Sequence, residues 1–354
     1  MDAKPPLRSP TVTDVAAAAG VSPMTVSRVL NGRGGAGEET RQRVLEAAQA
    51  LNYRPNAFAQ SLKSDRSNTV GIVVPDIVNP FFPEIIRGAE LVARPAGYTL
   101  LSCNVVEDPE REEEVLGTLL DRRVDGVIIC SARLDEERLL RAIAPHRAVV
   151  LINRSVAKRY AGTIEVDYRA GVEAAVSSLI AQGRRRFVFA AGPAYSHGGR
   201  KRREGVEAVL SRHGLALVHD LSCTPDLQGG IELAGKLVPR AGEIDAVICY
   251  NDLIALGLMK PFETAGISVP DQVAIVGCDD IPAASLVTPP LTTLRIAKQD
   301  LGEMAMRMLL DRIAGRNAQQ GIVIEPDLIL RSTTPSDLVQ EEAGSKLELA
   351  AARI

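Results

Sequence analysis

The sequence predicts a small α-helical segment at the N-terminus followed by a large α/β body built on parallel sheet in two lobes. Three observations predict it. Residues 11–52 read as three short helices, the first two joined through a glycine. From Val70 onward, short β-rich runs alternate with helical stretches, the βαβα order of a parallel sheet. The body is about 260 residues long, which is large for one sheet.

Taken in order, Thr11 caps the first helix and Asp14, three residues on, faces the free amides of its first turn. Val15, Ala16 and Ala19 lie at helical spacing, and Gly20 breaks the helix. Ser22 caps a second helix, Pro23 fits its first turn, and Asn31-Gly32 ends it. Arg33 to Gly37 is a glycine-rich loop. Glu38 to Asn52 is a third helix with Val44, Ala48 and Leu51 on one face. Ala57 to Lys63 is a short helix candidate, marginal in water and in need of a partner. Strands are expected at 70–74, 98–103, 126–130, 148–152, 187–191, 245–249 and 273–277, several of them continuous apolar runs suited to burial on both faces. Helices are expected at 83–94, 110–121, 168–181 and 201–213. Residues 336–354 are polar and read as a loose tail.

Composition excludes several classes. Of 354 residues, 46% are apolar and 24% charged, the balance of an ordinary globular chain rather than a disordered or collagenous one. No run of 18 apolar residues occurs, so no transmembrane helix and no membrane partner are expected. Met1 to Pro10 lacks the apolar core of a secretory signal, which predicts a cytoplasmic protein. Cys103, Cys130, Cys223, Cys249 and Cys278 are odd in number and widely spaced, so free thiols are expected rather than disulfides or zinc ligands. The four histidines show no metal-binding spacing, and no cofactor or metal is expected. Residues 1–66 carry nine Lys/Arg against six Asp/Glu, while the remainder carries 32 against 38. A basic end on an acidic body suggests one end that meets a polyanion.

The most informative motif is the pair of short helices around Gly20, the helix-turn-helix arrangement. In that geometry the second helix enters the major groove of DNA with its N-terminal residues at base edges. Pro23, Met24, Thr25, Ser27 and Arg28 occupy that face. Arg28 suits bidentate pairing with guanine, Thr25 and Ser27 suit phosphates or bases, and Pro23 and Met24 offer apolar contact to a thymine methyl. A helical hairpin inside an ordinary fold is the alternative reading.

T-V-S-R-V-L-N at 25–31, followed by E-T-R-x-R-V and L-N-Y-R-P-N-x-x-A-x-x-L, resembles the LacI/GalR family of transcription regulators. The body adds V-G-I-V-V-P-D-I-V-N-P-F-F at 70–82, A-G-P at 191–193, N-D-x-x-A-x-G at 251–257, V-P-D-Q-V-A-I-V-G-C-D-D-I at 269–281 and P-P-L-T-T-L-R at 289–295. The resemblance spans residues 11–334 in the family's order. It implies a helix-turn-helix headpiece over 1–56, a hinge helix and linker over 57–69, and an effector-binding and dimerisation core over 70–335. That core is two doubly wound parallel-sheet lobes, as in periplasmic sugar-binding proteins. It also implies that the hinge helix folds when two subunits meet on DNA, with a leucine from each wedged into the minor groove. Leu62 matches that leucine, and such a wedge offsets unstacking with the contacts that kinked DNA allows. Lys63 either reaches the same groove or stays in water. The DNA-facing set is therefore Thr11, Pro23, Met24, Thr25, Ser27, Arg28, Asn31, Asn56, Leu62 and Lys63.

Ligands of open α/β sheets bind at strand ends, and the family places its effector between two such lobes. Matching positions are Phe81 and Phe82 after the first strand, Asn153 and Arg154 ending the fourth, and Asp167. Arg200 after the A-G-P loop, Asn251 and Asp279 complete the set. Two arginines, two asparagines and two aspartates suit a hydroxyl-rich ligand, because each hydroxyl both donates and accepts. Each could instead be a capping or surface residue. Three departures from the family reshape the pocket: Pro225 where relatives carry an aromatic, Tyr250 in place of a small residue, and Cys278 in place of an aromatic. The runs Arg184-Arg185-Arg186 and Arg200-Lys201-Arg202-Arg203 read as a solvated turn and an exposed helix start.

The expectation is a non-enzymatic, sequence-specific DNA-binding regulator acting as a homodimer. It would be a repressor on a near-palindromic operator, controlled by a sugar, a sugar acid or, second, a nucleobase or nucleoside. The rivals are a small-molecule-binding protein, which would need export, and a sugar-modifying enzyme. The enzyme would need a catalytic constellation, and neither G-x-S-x-G nor a P-loop is present.

Overall fold

The computed structural model describes residues 10–30, 35–53, 66–316 and 321–335. The chain divides into two compact units, Met1–Ser67 and Asn68–Ile354.

The first unit is three helices: α1 (Val12–Ala19), α2 (Pro23–Leu30) and α3 (Glu38–Ala50). Thr11 and Asp14 cap α1 reciprocally. The Thr11 N–H donates to Asp14 Oδ2 at 2.7 Å, and the Asp14 N–H reaches Thr11 Oγ1 at 3.4 Å. Gly20 ends the helix at φ 65°, a left-handed conformation that costs glycine nothing. Ser22 Oγ then accepts the Thr25 N–H and starts α2. Val15, Ala16, Ala19, Val26, Val44 and Ala48 meet in one small core. The helical period read from sequence selected five of these six; Val26 is the addition.

The second unit holds two six-stranded sheets. The first is ordered β2 (Thr99–Asn104), β1 (Thr69–Val74), β3 (Gly126–Cys130), β4 (Val149–Ile152), β5 (Gly162–Val166), β11 (Gly321–Ile324), and every neighbouring pair is parallel. The second runs β7 (Leu217–Ser222), β6 (Phe187–Ala191), β8 (Ala246–Cys249), β9 (Ala274–Asp279), β10 (Thr292–Arg295), β12 (Asp327–Ile329), and only the β10–β12 pair is antiparallel. Helices α4 (Phe81–Ala93), α5 (Pro109–Asp121), α6 (Glu136–Ile143) and α11 (Lys298–Ile313) serve the first sheet. Helices α7 (Tyr168–Ala181), α8 (His197–Arg212), α9 (Leu227–Leu237) and α10 (Asp252–Thr264) serve the second. This is the doubly wound, two-lobed architecture expected from the sequence.

The chain crosses between lobes three times: after β5, between β10 and α11, and between β11 and β12. One crossing is pinned by Asp279 and Asp280, both at positive φ (114° and 49°). The Lys298 ammonium donates to both their main-chain oxygens, at 2.7 and 2.9 Å. The Asp280 carboxylate accepts from Arg295 Nε and Arg331 Nη2, each at 2.7 Å. The aspartate pair is thus fixed at the carboxyl end of β9, with the Asp279 side chain buried.

Central strands β3, β4, β8 and β9 are buried along their whole length. Edge strands β7 and β11 alternate between more and less exposed residues. Among the described residues no helix is long and apolar enough to cross a membrane. The five cysteines are free thiols; Cys130, Cys249 and Cys278 are buried, and Cys103 and Cys223 are half-buried.

Candidate functional site

The carboxyl ends of the strands of both lobes converge on a narrow cavity. The first lobe contributes Phe81, Phe82, Glu107, Ser131, Arg133 and Asn153; the second contributes Tyr168, Ser196, Arg202, Pro225, Tyr250 and Asp279. This is where open α/β sheets bind ligands.

Phe81 and Phe82 sit in the first turn of α4. Their rings meet edge to face with centres 5.1 Å apart. Asn153, at φ 57°, bridges the lobes: Nδ2 donates to the Tyr168 hydroxyl at 3.0 Å, and Oδ1 accepts the Val166 N–H at 3.2 Å. On the opposite wall the Tyr250 hydroxyl lies 3.0 Å from Ser196 Oγ, the N-cap of α8. Gly192, from the A-G-P motif, makes room for the Tyr250 ring, since a Cβ there would lie 2.7–2.8 Å from three ring atoms.

Two arginines dominate the cavity. Arg202 is 4% exposed. Its guanidinium carbon lies 3.6 Å from the Tyr168 ring centre and 4.8 Å from that of Tyr250. Its Nε donates to Cys278 Sγ at 3.3 Å, and its Nη2 lies 3.8 Å from Asp279 Oδ1. Burial alone would lower its pKa, and the facing Cys278, Tyr168, Tyr250 and Asp279 hold it above the ordinary value. Burial pushes the Asp279 carboxyl up to about 6, with Arg202 and Lys298 pulling the other way. Arg133 is 2% exposed and grips Glu107 through Nε–Oε2 at 2.6 Å and Nη2–Oε1 at 2.8 Å. Its Nη1 donates to the Ser131 carbonyl and its backbone N–H to Glu112 Oε2. Burial pushes Glu112 up to about 7, against the Arg133 and Leu134 N–H groups.

Of the sequence-predicted effector residues, Phe81, Phe82, Asn153 and Asp279 line the cavity. The other four lie outside this lining. Arg200 is exposed, its Nη1 donating to the Ala194 carbonyl at 3.2 Å. Asp167 caps α7 by accepting the Ala170 N–H. Arg154 is buried outside the lining, and its Nε lacks a hydrogen-bond partner. Asn251 caps α10 through the Ile254 N–H and supports the cavity from behind, its Nδ2 donating to the Pro225 carbonyl at 2.8 Å.

The sequence reading missed Arg202, Arg133, Tyr168, Ser196 and Glu107. For Arg202 a signal existed. The buried face of α8 carries Gly198, Arg202, Val206 and Val209, and counting back by the helical period from the two valines selects position 202. Position 200 lies on the other side. The run at 200–203 is therefore not uniformly an exposed helix start. The 184–186 run is likewise built into structure: Arg184 donates to the carbonyls of residues 270–272, and the Arg185 and Arg186 N–H groups donate to Asp245.

In the helical unit, Pro23, Met24 and Arg28 are exposed, with Met24 at 65%, while Thr25 and Ser27 are half-buried. Thr25 Oγ1 lies 2.9 Å from Ser22 Oγ, and the Thr11 hydroxyl donates to Asp14 at 2.7 Å. Asn31, Asn56, Leu62 and Lys63 lie outside the described residues.

Residues 11–56 match the family described as bacterial regulatory proteins, lacI family, and residues 176–334 match a periplasmic binding protein-like domain. The chain is 34% identical to the ribose operon repressor of Escherichia coli K12 over 88% of its own length and 95% of the relative's. It is 31% identical to the HTH-type transcriptional repressor PurR of Photobacterium profundum over 91% and 98% of the two chains. A lac repressor dimer solved on operator with the anti-inducer ONPF superposes at a TM-score of 0.82, with 27% identity over 92% of this chain and 99% of that one. A helix-turn-helix unit, a two-lobed parallel-sheet core and near-full-length similarity agree: the chain belongs to the lacI family of bacterial regulatory proteins and is a DNA-binding regulator rather than an enzyme.

Proposed function

We propose that this chain is a cytoplasmic, homodimeric repressor that reads a near-palindromic operator and changes its grip on DNA when a small polyhydroxylated metabolite enters the cavity between its lobes. The headpiece spans 1–56, the hinge and linker 57–69, the effector and dimer core 70–335, and a tail 336–354. Pro23, Met24, Thr25, Ser27 and Arg28 face the major groove, with Thr11, Asn31 and Asn56 beside them. Leu62 wedges the minor groove at the two-fold axis, next to Lys63. A symmetric dimer reads a symmetric site.

The observation that carries the effector reading is the cavity itself. Polar groups from both lobes converge in it around aromatic rings, the lining by which proteins orient hydroxyl-rich ligands. A sugar or a sugar acid fits that lining best, and the relative named for a ribose operon points the same way. Ligand that holds the lobes in one arrangement biases the dimer and hence hinge-helix formation. A coupling of about 1–3 kcal/mol, about 5–150-fold in operator affinity, is typical of such links.

The test is Leu62→Ala in the full chain, with the operator selected from random duplex DNA. Operator affinity falls and affinity for a cavity ligand, found by thermal shift, is unchanged. Unaltered operator affinity contradicts the wedge. A protein that selects no DNA contradicts the whole reading.

A further inference from the structure

Resting on the effector reading above, we propose that the ligand of this cavity carries a carboxylate and binds by taking the place of Glu107 on Arg133.

The Arg133–Glu107 pair has the planar, two-bond geometry of an arginine holding a carboxylate ligand, with both carboxylate oxygens engaged at 2.6 and 2.8 Å. The arginine is the fixed partner. Its side chain is 1% exposed, its Nη1 is held by the Ser131 carbonyl, and its backbone N–H is held by Glu112 Oε2 at 2.6 Å. The glutamate is the movable one. It lies on the loop after β2, and its side chain is 19% exposed.

The backbone of that loop is strained to deliver it. Val106 and Glu107 stand consecutively at φ 52° and 58°. The left-handed region disfavours any L-residue with a Cβ, and a β-branched valine most of all. The Val106 side chain is 54% exposed, so burial does not offset the strain. Outliers of this kind persist where the surroundings hold them, and they mark switching segments. Here the holding contacts are Arg133 itself, the Pro75 carbonyl, which accepts the Glu107 N–H at 2.8 Å, and the Tyr195 hydroxyl of the other lobe, which donates to the Glu107 carbonyl at 2.7 Å.

Charge decides the ligand class. A neutral ligand that displaced Glu107 would leave a buried guanidinium without its counter-charge, a strongly unfavourable state. A ligand carboxylate keeps the pair intact. Glu107 then swings outward, its loop relaxes, and the Tyr195 bond across the lobes is released. One exchange thereby joins ligand recognition to a contact between lobes. Glu107 is a built-in competitor, so it selects for carboxylates and weakens the binding of all of them.

The experiment is calorimetric titration of the full chain with D-gluconate and D-galacturonate against D-glucose and D-galactose at matched ionic strength. The acids bind and the neutral sugars bind at least tenfold more weakly. Arg133→Met loses acid binding by a hundredfold or more. Glu107→Gln gains about tenfold for the acids, because the competitor is weakened. Tyr195→Phe, which loosens the same loop without touching the arginine, gains severalfold and serves where Glu107→Gln fails to fold. Neutral sugars binding as tightly as the acids, or Arg133→Met leaving acid affinity unchanged, overturns the exchange while the cavity remains an effector site. Absence of binding by all four overturns the exchange and the polyol reading together.

Discussion

The Arg202 guanidinium carbon lies over the Tyr168 ring, 3.6 Å from its centre, in a cavity wall shared by both lobes. A cation held over a desolvated aromatic face is both stabilised and oriented. Here the ring belongs to the first residue of α7, directly after a lobe crossing, and the cation to the buried face of α8. Ligand recognition and the packing of the two helices therefore share one contact.

Arg202→Met removes the cation and leaves Asp279 facing a thioether. Effector affinity falls by about 2–5 kcal/mol, the usual loss when one member of a buried charged pair is truncated. Operator binding without effector persists. Arg200→Ala, two residues away and exposed, leaves both unchanged. Titration calorimetry on the two variants checks the difference, and an equal loss in both would remove the distinction between the faces of α8.

Gly192→Ala places a Cβ within 2.8 Å of the Tyr250 ring, which cannot shift without disturbing Ser196 and Arg202. Overpacking of this kind costs about 1–3 kcal/mol. The denaturant midpoint of Gly192→Ala falls accordingly. In the Tyr250→Ala background the same substitution costs much less, and the non-additivity reports the contact.

Asp279 gives the site a pH dependence of defined sign. Burial raises its pKa to about 6 in the folded chain from an ordinary 3.8. The folded state therefore binds more protons between those values, and this group's contribution to stability declines as pH rises from about 4 to about 6. Ligand hydroxyls and Arg202 need the ionised form, so effector affinity moves the other way and is lost as pH falls through about 6. Asp279→Asn binds weakly and shows no such step. Calorimetry between pH 5 and 8 separates the two.

In the helical unit, the stability that Thr11 supplies as a cap can be separated from the operator contact proposed for Arg28. Thr11→Ala breaks the reciprocal cap with Asp14 and lowers stability by about 1 kcal/mol. Arg28 is exposed on α2 and is proposed as a reading residue. Arg28→Ala leaves the denaturation midpoint unchanged and weakens operator binding by about 1–3 kcal/mol. Denaturation curves and fluorescence anisotropy on selected operator DNA check the pair.

Six central strands were legible because burial on both faces imposes continuous apolar runs: 126–130 and 187–191 were read to the residue. The central strands β5 and β10 were not, because threonine, glutamate and arginine interrupt their four or five residues, nor were the edge strands β7, β11 and β12, half-exposed segments of three to six residues with little periodic signal. In the site, Phe81, Phe82, Asn153 and Asp279 stand at or just after strand ends and were read from their match to the family's pattern there. Asp167 and Asn251 do so as well but serve as helix caps, a role that the same residue types fill at the same places. Arg133 and Glu107 were invisible because their meaning lies in each other, 26 residues apart in sequence and 2.6 Å apart in space.

The measurement that bears most directly on the account is operator affinity with and without the best cavity ligand, in the full chain and in Arg202→Met. The account predicts a 5–150-fold ligand effect in the unmodified chain and none in Arg202→Met, with equal operator affinity when ligand is absent. A ligand effect that survives Arg202→Met intact would contradict it, because the cavity between the lobes would then not be where the regulator is controlled.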